Sequence, residues 1–177
     1  LILKREAWIV LMPGLGGSQA HFRWLSKELS SQGWPVVVLE HPGSDSKAVK
    51  ALLEGERALP GAEVLPDRLF DLDAVLQAKK NAFFKFQSPK VILMGHSLGA
   101  LTAFLAAGAI PETELSARCD KALDDLSLTN LSKLLQCQLV DVDLPNLKEL
   151  PELEAIVAIN SFGSLLWTDF DRPMISV

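Results

Sequence analysis

The sequence predicts an α/β fold in which a mostly parallel sheet is flanked by helices. Two observations carry that expectation. Short apolar, β-leaning runs alternate with stretches whose apolar residues recur at helical spacing, the pattern of a parallel sheet covered on both faces. Three of those runs also end on turn residues, at Pro13-Gly14, His41-Pro42-Gly43 and Gly95-His96-Ser97. Such a sheet carries its chemistry at the carboxyl ends of its strands.

In chain order, Ala7 to Met12 reads as a buried strand entering the Pro13-Gly14 turn. Ser18 stands where a helix cap belongs, ahead of Phe22, Leu25 and Leu29 on one face, and Gly33 closes a helix that runs to Ser31. Pro35 to Leu39, with three valines in succession, predicts a second buried strand leading into Glu40-His41-Pro42-Gly43-Ser44. Residues 45–65 hold Gly55, Pro60 and Gly61 and predict a loop with a short helix. Leu69, Leu72, Val75 and Leu76 mark an amphipathic helix that reaches Ala82. Val91 to Met94 is a third strand, feeding through a glycine turn into a helix over Leu98 to Ala107. Residues 111–151 alternate acidic and leucine-rich pieces, with no strand signal beyond Gln138-Leu139-Val140. They predict a helical insertion, or lid, after that helix and within the same domain. Ala155 to Ile159 is a fourth strand, and Arg172 to Val177 begins a fifth.

A chain of 177 residues, 49% of them apolar, fits one globular domain over 1–177. A net charge of −5 argues against nucleic acid as a partner, since phosphates require a basic face. Cys119 and Cys137 are too few for a disulfide framework and read as two thiols of a reducing compartment. No basic segment followed by an apolar stretch and a cleavage site stands near Leu1, so the expected location is cytoplasmic. Val91 to Ile110 has no charged side chain and is long enough to cross a bilayer. Gly95, Gly99 and Gly108 break it into strand, turn and helix, so no membrane span is expected. Nothing in the sequence indicates a cofactor, a metal site or an oligomeric state.

The chemistry is concentrated in Gly95-His96-Ser97-Leu98-Gly99, a G-x-S-x-G sequence between a predicted strand and a predicted helix. A serine at such an elbow sits in a strained backbone, and flanking glycines are needed because a Cβ there would meet the neighbouring strand or helix. The turn raises Oγ to the top of the sheet and aims the helix N-terminus at the reacting centre. Ser97 is therefore the candidate nucleophile. A tetrahedral intermediate also needs oxyanion donors, one from the residue after the nucleophile and one from an earlier strand-to-helix loop. Leu98 N–H is the first candidate. Leu15 N–H, in the loop Gly14-Leu15-Gly16-Gly17, is the second. That loop lacks the lysine and spacing of a phosphate-binding loop.

With both motifs placed, a resemblance emerges. Met12 to Ser44 (MPGLGGSQAHFRWLSKELSSQGWPVVVLEHPGS) and GHSLG are similar to the α/β-hydrolase superfamily. Within it they most resemble platelet-activating-factor acetylhydrolases and bacterial predicted dienelactone hydrolases. LSLTNLSKLLQCQ and LPELEAIVAINSFGS resemble a bacterial branch of the same superfamily. The resemblance implies an α/β-hydrolase core and cleavage of carboxylic esters through an acyl-enzyme on Ser97. It also implies a small-molecule ester or lipid as substrate. Two positions depart from the family pattern: Pro13 stands where a histidine is usual, and Asn160 stands where acetylhydrolases carry the triad acid.

Chain order in this fold is serine, acid, histidine. His21, His41 and His96 all precede Ser97, and Asp169 and Asp171 lie ahead of the last strand and read as solvated loop carboxylates. The triad acid and histidine are therefore expected beyond Val177, with the chain a fragment lacking the C-terminal part. Two other functions share the motif: a non-catalytic protein that binds a ligand or partner, and an acyltransferase using the same serine. Leu126, Leu128, Leu131, Leu134 and Leu135 either line an acyl pocket or pack the insertion onto the body.

Overall fold

The computed structural model describes residues 5–58, 60–124, 131–145, 150–161, 163, 165–167 and 174–176. Five parallel strands, β1 (Ala7–Met12), β2 (Val36–Val38), β3 (Lys90–His96), β4 (Leu153–Ile159) and β5 (Met174–Ser176), form one sheet in the order β2-β1-β3-β4-β5. Val10 pairs with Leu93, and Leu93 with Ile156, so the inner strands bring their apolar centres into one layer. Each residue of β1 is buried, as its unbroken aliphatic run requires of a strand covered on both faces. By contrast, β2 is only half-buried. The run of valines predicts a buried strand, but β2 lies at the sheet edge, with a neighbour on one side only among the described residues.

Among the described residues six α-helices accompany the sheet: α1 (Arg23–Ser31), α2 (Ser46–Leu53), α3 (Leu65–Lys80), α4 (Leu98–Ala106), α5 (Leu115–Leu123) and α6 (Leu131–Cys137). Phe22, Leu25 and Leu29 pack with Ile9, Leu11 and Met94 on one face of the sheet. On the other, Leu65, Leu69 and Leu72 of α3 and Leu101 and Phe104 of α4 join Val10, Leu93 and Ile156 in the larger core. Every residue of α4 is buried, which explains the charge-free run. Among the described residues no helix is long and apolar enough to cross a membrane.

One local expectation fails, and one brief strand signal is not realised, each for an identifiable reason. Ser18 does not cap the first helix; the chain enters through a 3₁₀ turn, Gln19–Phe22, and Gln19 N–H donates to the Glu40 carboxylate instead. Residues 138–140 do not form a strand but belong to a 3₁₀ turn, Gln138–Asp141, with Leu139 buried and Gln138 Oε1 accepting from Ala62 N–H at 2.9 Å. Asp45, which the sequence left within a loop, caps α2 by accepting from Ala48 N–H at 3.0 Å.

The described part of the region between α4 and β4 holds α5, α6 and a 3₁₀ turn. Its α5 and α6 are joined by a disulfide between Cys119 and Cys137, with Cα atoms 5.5 Å apart. The expectation of two separate thiols is thus corrected: helix packing, invisible in the spacing of the cysteines, brings them together. This unit is tied to the segment beyond β4, where Glu112 N–H donates to Leu166 O and Leu165 N–H to Gln136 Oε1, each at 2.9 Å. Leu135 is buried and Leu134 exposed. Leu126, Leu128, the Leu131 side chain, Asp169 and Asp171 lie outside the described residues.

Candidate active site

Ser97 sits between the end of β3 and the start of α4, at the carboxyl edge of the sheet, with φ 52° and ψ −117°. A left-handed φ costs a non-glycine residue about 1–3 kcal/mol and persists only where its surroundings over-determine it. They do so here. Ser97 N–H donates to Ile159 O of β4 at 3.0 Å, and Ser97 O accepts from Ala100 N–H and Leu101 N–H at 2.9 and 3.2 Å. The helix therefore starts one residue after the serine, and Ser97 is half-buried rather than sealed in.

The flanking glycines are required by backbone contact. A Cβ on Gly95 would overlap the Gly99 carbonyl and Ala100 N, and one on Gly99 would overlap the Met12 carbonyl and approach Pro13 O. The first turn of α4 thus lies directly on the end of β1. Gly14 lies against the nucleophile itself: an added Cβ would come 3.0 Å from Ser97 Cβ and from His96 O. From there Gly16, at φ 71°, donates its N–H to Ser44 O at 2.8 Å, and Gly17 N–H donates to Gly14 O at 3.0 Å. Leu15 lies between these pinned peptides. Neither Leu15 N–H nor Leu98 N–H has a hydrogen-bond acceptor among the described residues.

Beneath the loop is a buried polar cluster that the sequence reading missed. Arg68, 1% exposed, projects from α3. Its Nε donates to Thr102 Oγ1 at 2.9 Å, and its terminal nitrogens to Ser44 Oγ at 2.7 Å and to Pro13 O at 2.6 Å. Burial pushes the guanidinium down to about 9, opposed by the Asp71 carboxylate, so it stays charged at neutral pH. Beside it His41, 2% exposed, shares Nδ1 with Asp71 Oδ2 at 3.0 Å. Burial, and then the Arg68 charge, hold the imidazole down to about 2; burial raises the Asp71 carboxyl. His41 is therefore neutral, donating Nδ1–H to Asp71. The one signal in the sequence was an arginine on the apolar stripe of α3, three residues after Leu65 and four before Leu72.

The remaining histidines differ in setting. His96 is half-buried, with its ring 5.8 Å from that of Phe22, and His21 is exposed in the 3₁₀ turn. Asn160, at φ 47°, follows β4 directly after the carbonyl that receives Ser97 N–H. Among the described residues no group of three or more His, Cys, Asp or Glu side chains is arranged to hold a metal ion.

A search of curated proteins finds no match to the chain. Among solved structures it is similar to RedJ with a PEG molecule bound in the active site, at 20% identity and a TM-score of 0.41 over 87% of this chain and 68% of that one. It is similar also to the RedJ thioesterase from the prodiginine biosynthetic pathway in Streptomyces coelicolor, at 19% identity and TM-score 0.41, over 87% and 70% of the two chains. A third is YbtT, a type II thioesterase from the yersiniabactin NRPS/PKS biosynthetic pathway, at 17% identity and TM-score 0.39, over 97% and 85%. Residues 9–173, which include both the glycine loop and the elbow, match the family described as the alpha/beta hydrolase family. The chain belongs to the alpha/beta hydrolase family.

Proposed function

We propose that this protein is a serine hydrolase that cleaves carboxylic esters, with acyl-lipid or short-acyl esters as the substrate class, through an acyl-enzyme on Ser97. One observation carries the reading: Ser97 is held at φ 52° between strand and helix, with Gly14 of the glycine loop packed against it. A structural turn has no need of a strained serine. The resemblance of Met12 to Ser44 to platelet-activating-factor acetylhydrolases and dienelactone hydrolases supports the choice of esters.

In this reading Oγ of Ser97 attacks the acyl carbon while a base removes its proton. The carbonyl oxygen becomes an oxyanion, received by Leu15 N–H and Leu98 N–H, donors left without an acceptor among the described residues. The carbon–oxygen bond to the alcohol breaks, the alcohol leaves with the proton, and water repeats the sequence to release the acid. Gly95 and Gly99 let the two backbones meet, and Gly14, Gly16 and Gly17 let the loop approach the substrate. His41 is unsuited as base because burial and then the Arg68 charge hold its imidazole down to about 2, so it takes up a proton poorly. The helical segment within 111–151 is read as a lid bordering the acyl side.

The test is turnover of short p-nitrophenyl esters by the full-length protein, with fluorophosphonate labelling of Ser97. Thioesters of the same acyl chains define the substrate range. Ser97→Ala is expected to abolish labelling and lower turnover by about 10⁴-fold or more while leaving the fold intact. Normal turnover in that variant would remove Ser97 from the mechanism.

A further inference from the structure

We propose that Arg68 is the positioning residue of the oxyanion hole, setting the spacing between its two donor peptides although it touches neither substrate nor nucleophile. The inference rests on the assignment of Leu15 and Leu98 as donors, and it explains how two peptides 83 residues apart in the chain (98 − 15) are kept in register.

On the loop side, Arg68 donates to Pro13 O, the carbonyl of the Pro13–Gly14 peptide. That bond fixes the plane immediately before the Gly14–Leu15 peptide, which carries Leu15 N–H. The same guanidinium holds Ser44 Oγ, while the Ser44 carbonyl accepts from Gly16 N–H just beyond Leu15. Leu15 is thus bracketed by two peptides, each traced to Arg68 through one or two bonds. On the elbow side, Arg68 Nε donates to Thr102 Oγ1, whose hydroxyl donates to Leu98 O at 2.9 Å. Leu98 O belongs to the peptide next to the one that carries Leu98 N–H.

Each partner of the guanidinium is a neutral oxygen, and Asp71, the carboxylate whose charge acts on it, is hydrogen-bonded to His41. Removing a charge from water into such a site is costly, and a leucine on this stripe of α3 would stabilise the core more simply. An arginine is what the position needs if rigid donors must be aimed in three directions, because its planar fork is fixed in geometry and lysine's single head is not. Charge-assisted bonds are also the stronger kind, as a loop with many glycines requires.

The experiment uses the full-length protein, with Arg68→Lys, Thr102→Val, Thr102→Ser and, as a control for lost stability alone, Leu76→Ala further along α3. The readouts are kcat and KM on a p-nitrophenyl ester, the inhibition constant of a trifluoromethyl ketone, and amide exchange at Gly16 and Gly17. Arg68→Lys and Thr102→Val are expected to lower kcat about 10- to 100-fold with KM changed less than about twofold. Ketone affinity should weaken in parallel, and Thr102→Ser, which keeps the hydroxyl, should restore both. Faster exchange at Gly16 and Gly17 is expected in Arg68→Lys. Leu76→Ala is expected to lower the Tm and leave kcat unchanged. If Arg68→Lys and Thr102→Val keep wild-type kcat and ketone affinity, the positioning role is overturned and the arginine is structural only. If Arg68→Lys does not fold, the Thr102→Val and Thr102→Ser pair decides by the same criteria. A folded wild-type protein with neither turnover nor Ser97 labelling would instead overturn the hydrolase reading. Loss of kcat with unchanged Gly16 and Gly17 exchange would overturn the route through the loop.

Discussion

The elbow and the glycine loop touch where Gly14 meets Ser97, yet they are held in different ways. The elbow is fixed by backbone lying on backbone: Gly95 on Gly99, and Gly99 on the Met12 and Pro13 carbonyls. The loop is fixed by the Arg68 side chain reaching in from α3 and by the turn after β2. The first device tolerates no added atom and is indifferent to pH. The second depends on charge and hydrogen bonding, so it responds to solution conditions and to conservative substitutions. A site built from both has one rigid half and one adjustable half.

The largest test of that contrast is Gly99→Ala. Its methyl group meets carbonyls rather than a side chain that can turn away, so the variant is expected to lose about 3 kcal/mol or more, or to fail to fold. Denaturant titration measures the loss; a near-neutral result would show that the elbow adjusts after all.

Acid should act on the other half. Below its ordinary value of 6.5 His41 takes up a proton in the unfolded chain, whereas in the folded chain it stays neutral down to about 2. The unfolded state thus binds more protons, and stability falls by about 1.4 kcal/mol for each pH unit below 6.5. Asp71, raised by burial from 3.8, opposes this only as its own folded range is reached. Urea midpoints from pH 7 downward should fall more steeply for the wild type than for His41→Gln; equal slopes would show that the imidazole is not kept neutral.

A smaller effect of opposite sign is expected at the nucleophile. Ser97→Gly relieves the positive φ and should raise stability by about 1 kcal/mol while abolishing turnover. A less stable Ser97→Gly protein would indicate that φ 52° stores no strain.

The same contrast explains how much was legible. The elbow could be read because its requirement is local: a glycine two residues either side of the serine, with an aliphatic strand before and a charge-free helix after. The inner strands β1, β3 and β4 were legible for a related reason, since each carries an apolar run, fully buried in β1 and partly buried in β3 and β4. The loop could be located by its glycines, but its support could not. Arg68 meets partners 24, 34 and 55 residues away, and its place on the apolar stripe of α3 says that it is buried but not which groups it meets. Ser18 misled because Glu40, 21 residues on from Gln19, supplies the acceptor that a local cap would have provided. Asn160 shows the limit from the other side: the strand end was found, but the acid usual there was not.

The disulfide between α5 and α6 carries a consequence for handling the protein. Helices of 9 and 7 residues are too short to persist alone in water, so the cross-link between them is a main support of the region. The same polypeptide therefore has two covalent forms, and purification with or without a reductant selects between them. Two samples identical in sequence and purity can then differ in whatever depends on that helical pair, with no change at Ser97.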